Sequence, residues 1–110
     1  MLNARLYFLQ RLSALVMAPL VIGHLAMMIY AVQNGLTGEE ILSRTRGNLL
    51  WAAFYATFVL AVSIHASIGV RVIFYEVFKF QEAKLRALTV FIFMMLCALG
   101  LFSVYAVTTA

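Results

Sequence analysis

The chain has 110 residues, 65% of them hydrophobic and 11% charged, with a mean hydropathy of +1.02; this composition excludes a soluble domain and requires an integral membrane protein. The net charge is +4, but the basic residues flank apolar runs as topology determinants do, which speaks against a nucleic-acid partner. All twelve charged side chains, eight Lys and Arg with four Asp and Glu, fall in three clusters: Arg5 with Arg11, residues 39–46, and residues 71–86.

Charge-free runs at residues 12–38, 47–70 and 87–110 can each cross a hydrocarbon core of roughly 30 Å, which needs about 20 helical residues. An all-α membrane protein is therefore expected, one domain over residues 1–110 with transmembrane helices near 8–33, 48–76 and 84–108. The first run is too long for a signal peptide and has no small-residue cleavage site, so it reads as a retained helix. Pro19 deprives the Leu15 carbonyl of its usual donor and predicts a kink in that helix.

Residues 33–48 form a loop with turn signals at Asn34-Gly35 and Gly38, and Thr37 followed by Glu40 fits a capping box that starts a short surface helix. Between the second and third helices, residues 74–86 mix Phe78 and Phe80 with Lys79, Glu82, Lys84 and Arg86, as expected of a segment lying at the interface. Cys97 stands alone in the third apolar run, where it packs and forms no internal disulfide. Arg5, Arg11, Arg71, Lys79, Lys84 and Arg86 share one side of the membrane against Arg44 and Arg46 on the other, which predicts an inside N-terminus and an outside C-terminus. Tyr30, Trp51, Tyr55 and Tyr105 then mark the outer interface, and Tyr7 and Tyr75 the inner one.

Two histidines, His24 and His65, each lie in a charge-free run. An imidazole in hydrocarbon needs a compensating partner, and such residues are functional candidates by default. His24 follows Arg11 by thirteen residues and His65 precedes Arg71 by six, placing them roughly 20 Å and 9 Å from the inner level at 1.5 Å per residue. A depth difference of about 10 Å is too large for one metal ion with bonds of about 2 Å. They serve separate sites, or one of them serves none. No Cys-x-x-Cys-His is present, so any haem is held without thioether links, and a bis-histidine haem takes its second ligand from another polypeptide. Ala61 and Gly69, one turn to either side of His65, leave room for a porphyrin, whereas Leu20, Met27 and Met28 beside His24 read as ordinary packing.

The segment Tyr7-Phe8-Leu9-Gln10-Arg11-Leu12-Ser13-Ala14 resembles the opening of the first helix in succinate dehydrogenase cytochrome b subunits. Ser63-Ile64-His65-Ala66-Ser67-Ile68-Gly69-Val70-Arg71 is similar to that family's second-helix motif, His-x3-Gly-x-Arg. Leu20-Val21-Ile22-Gly23-His24-Leu25 resembles the first-helix segment of the di-haem fumarate reductase cytochrome b. The resemblance implies half of a larger haem-binding helix bundle, in which His65 is an axial ligand of the haem b nearer an iron-sulfur subunit and His24 a ligand of one nearer the outer face.

The same resemblance implies a second membrane-anchor subunit that supplies the other axial histidines, a flavoprotein subunit, and menaquinone or ubiquinone as electron partner in a bacterial cytoplasmic or mitochondrial inner membrane. It puts Arg11 at the quinone pocket and haem edge, and Ser13 at a matching family serine. Arg71 is a candidate propionate or quinone contact or a plain flanking charge. Tyr7 stands where many relatives have a quinone-contacting serine, and Gln10 where a histidine is associated with haem propionate. Thirteen residues put Arg11 about 140° around the helix from His24, which ties Arg11 to the inner site. Glu39 and Glu40 are candidates for proton uptake at an outer quinol site, against the commoner reading as solvated loop acids. Three further readings stay open: a quinone-binding anchor without haem, a small b-type cytochrome of another oxidoreductase, and a transporter subunit with a histidine proton relay.

Overall fold

The computed structural model describes residues 3–109 as four helices: α1 (Ala4–Asn34), α2 (Gly38–Thr45), α3 (Leu49–Phe78) and α4 (Glu82–Thr109). The first, third and fourth are long and apolar enough to cross a membrane. At 31, 30 and 28 residues they make a bundle of 48 × 23 × 23 Å, long enough to reach the headgroup layers on both sides.

Local chemistry sets each boundary. α1 begins earlier than the apolar run suggests because the Asn3 side chain accepts from the Leu6 N–H at 2.9 Å, a cap that sequence periodicity does not weigh. Pro19 lies within this continuous helix. Thr37 caps α2, its Oγ1 accepting from the Glu40 N–H at 3.1 Å and donating to the Glu40 carboxylate at 2.7 Å. Asn48 caps α3 by accepting from Leu50 N and Trp51 N. α3 runs on to Phe78 and α4 starts at Glu82, each within two residues of the expected boundary, so only residues 79–81 separate them. Lys79 takes a left-handed conformation, φ 55°, to end the helix, and the rings of Phe74, Phe78 and Phe80 cluster at 5.1 to 5.8 Å beneath the turn.

α3 packs against both α1 and α4, and α2 packs on the end of α4. The buried set is mainly small and polar, with Ala61, Ser63 and Ser67 on α3 and Ser13 on α1, alongside Ile68 and Leu85. Small residues let helix backbones approach where burial of apolar area gives no advantage over lipid. Gly100 on α4 is such a position, since a Cβ there would overlap the Val59 side chain. Large apolar side chains such as Leu15, Ile22, Phe91 and Phe102 face outward, as surfaces that meet lipid or other helices require. At the other end of the bundle from Arg5, Arg71 and Arg86, α2 is tied to the end of α4: Thr45 Oγ1 donates to the Val107 carbonyl at 2.5 Å, and the Gly47 N–H donates to the Thr108 carbonyl at 2.6 Å.

Candidate functional site

Both histidines lie on the seam between α1 and α3, at different levels. His65 is half-buried, with Nδ1 3.4 Å from Oγ of Ser13 on α1. Ser13 itself is 5% exposed, and its hydroxyl donates to the Gln10 carbonyl at 3.0 Å. His24 is also half-buried, with its ring 5.2 Å from Phe58 and 6.2 Å from Tyr55, the latter edge-on. Ser13 and His24 are eleven residues apart on α1, and Phe58 and His65 seven apart on α3. At 1.5 Å per residue, the two levels are separated by about 10 to 16 Å.

The environments of the two rings differ in one respect. His65 has an oxygen within reach of Nδ1, whereas His24 Nδ1 is buried with no hydrogen-bond partner among the described residues. A buried ring nitrogen without a partner asks for one from outside the chain. Two cavities open beside His24: one of about 360 Å³ bordered by Tyr55, Phe58, Gly100 and Ser103, and one of about 240 Å³ bordered by Met27, Met28, Leu36 and Arg44.

Ala61 and Gly69 differ in their surroundings. Ala61 is buried in the bundle, and the Gln10 amide nitrogen lies 3.8 Å from where a Gly69 Cβ would be. Gln10 Oε1 is a second buried polar atom with no partner among the described residues. Gln10 and Ser13 on α1 thus lie beside His65 and Gly69 on the α1–α3 seam, in two of the three segments that carry the family resemblance.

Tyr7 and Arg11 form a separate exposed pair. Arg11 donates to the Tyr7 phenol oxygen from Nε at 3.1 Å and from Nη2 at 2.8 Å. Arg71 is 4% exposed and forms an ion pair with Glu82 across the α3–α4 turn at 2.5 Å. Glu40 caps α2 through Thr37, Glu39 is exposed, and neither borders the cavities at His24. Among the described residues, no group of three or more His, Cys, Asp or Glu comes together to hold a metal ion.

The Ser13–His65 contact and the Arg71–Glu82 pair do not follow from local patterns. The first joins residues 52 apart, and the second depends on a short turn that the mixed composition of residues 74–86 disguises.

A family model described as succinate dehydrogenase/fumarate reductase transmembrane subunit matches residues 2–105. No curated protein and no solved structure matches the chain. The match spans all three membrane-length helices except the last residues of α4, and the chain therefore belongs to the succinate dehydrogenase/fumarate reductase transmembrane subunit family.

Proposed function

We propose that the chain is the cytochrome b membrane anchor of a succinate:quinone oxidoreductase, contributing His65 as one axial ligand of a haem b shared with a second membrane-anchor subunit. The observation that carries this reading is the Ser13 oxygen at His65 Nδ1. With the Ser13 hydroxyl proton on the Gln10 carbonyl, its oxygen would accept from the imidazole. That arrangement holds the proton on Nδ1 and leaves the Nε2 lone pair for iron, the second-shell pattern of histidine ligands. Haem b supplies one-electron transfer between an iron-sulfur subunit, fed by a flavoprotein, and menaquinone or ubiquinone.

The chain's remaining tasks follow from its own side chains. His24 lies too far along the seam to serve the same iron, so the second axial imidazole comes from the partner anchor. The unpartnered Gln10 Oε1 suits accepting a hydrogen bond from a donor on the bound group. The Tyr7 phenol oxygen accepts from Arg11, which leaves its O–H to donate to a quinone carbonyl. Arg and Lys counts orient the N-terminus inside, so this pair faces the side where the iron-sulfur subunit docks. The unpartnered Nδ1 of His24 supports a second haem towards the outer face. Pyridine haemochrome analysis of the purified complex tests both statements. Two protohaems per complex are expected; one removes the outer haem, and none contradicts the haem reading.

A further inference from the structure

Beyond the His65 and His24 levels, a third cavity of about 370 Å³ opens between the first turns of α1 and α4. Three arginines line it against one carboxylate: Arg5 on α1, Arg86 on α4, and the buried Arg71 with its partner Glu82, a formal charge of +2 from three positive and one negative side chains. Arg5 and Arg86 are exposed. Both helices begin here, so their N-terminal dipole ends add to the positive potential. The same cavity has an apolar side made by Leu6, Leu9 and Val90, of which Leu9 and Val90 are exposed.

A positive rim joined to an exposed apolar wall, at the end of membrane-length helices, fits an amphiphile with a negatively charged head. Haem carboxylates fit less well, because Arg71 follows His65 by six residues and so lies about 120° around α3 from it. An acidic protein segment would leave the apolar wall without a counterpart. We propose that this cavity binds the phosphate headgroup of an anionic phospholipid between Arg5 and Arg86, with an acyl chain along Leu9 and Val90. The Arg71–Glu82 pair forms the back wall and joins α3 to α4, so a bound lipid bridges the starts of α1 and α4 across α3.

The test uses the assembled complex, delipidated in detergent and titrated with short-chain phosphatidylglycerol, short-chain phosphatidylcholine or inorganic phosphate, with binding read by native mass spectrometry. Phosphatidylglycerol is expected to bind and phosphatidylcholine not to. Binding should weaken about 30-fold in R5Q/R86Q, on the basis of about fivefold for each arginine near the surface. The charge-retaining R5K/R86K variant should keep most of it. Inorganic phosphate displacing the lipid with equal affinity would support the phosphate site while identifying a free anion as its natural source. Unchanged phosphatidylglycerol binding in R5Q/R86Q overturns the proposal. Loss of haem or of an extramembrane subunit from R5Q/R86Q with lipid binding intact also overturns it, because the arginines would then face carboxylates of the haem or of a protein.

Discussion

Ser13 is the α1 residue whose hydroxyl lies at His65 Nδ1, and the proposed haem gives that contact a consequence. A ligand imidazole is oriented and made more basic by the acceptor at its other nitrogen, and losing that acceptor typically lowers metal affinity 10- to 100-fold. Ser13→Ala should therefore release haem to an apo-globin acceptor at least about tenfold faster, with the complex still assembled. Ser13→Thr, which keeps the hydroxyl, should restore most of the retention. Tyr7→Phe removes the proposed quinone donor but keeps the ring. It should raise the KM for quinone about tenfold, the value of one hydrogen bond to a polar substrate, while succinate oxidation with a soluble dye acceptor stays unchanged. His65 stands out in the sequence as a candidate because it is a polar group in an apolar run and the His-x3-Gly-x-Arg pattern surrounds it. Ser13 was legible only as a family match, since its contact depends on how α1 and α3 lie together.

Among the elements, α2 shows local rules at work. Thr37 and Glu40 announce the cap in sequence, and the structure places the helix there. Thr37→Ala should cost about 1 kcal/mol of local stability, seen as roughly fivefold faster amide exchange within α2 and little change in α1. The contact between α3 and α4 obeys tertiary rules instead. Gly100 borders Val59 so closely that Gly100→Leu forces the helices apart; it should cost about 1 to 3 kcal/mol and lower the melting temperature of the complex. In sequence Gly100 is one glycine in an apolar run, and its role depends on which helix α4 meets. Residues 74–86 mix aromatic and basic residues that suit both an interfacial segment and a helix end, and the left-handed Lys79 ends α3 within them.

At the scale of the molecule, α3 is the helix that the other two membrane-length helices share. α3 is flanked by α1 and α4, and the large side chains Leu15, Ile22, Phe91 and Phe102 remain on the outside. Three apolar runs separated by charge clusters made this architecture readable, because span length and hydropathy are fixed by the bilayer. What covers the outward faces is not encoded locally, which is why the second imidazole can be inferred only from its absence in this chain. The central claim is that His65 ligates a haem completed by another subunit. Haem content and reduced-minus-oxidised spectra of the assembled His65→Ala complex test it most directly, with subunit composition checked on the same sample. The account predicts loss of one b-type component with all subunits still present; unchanged haem content and spectrum in the assembled variant would contradict it.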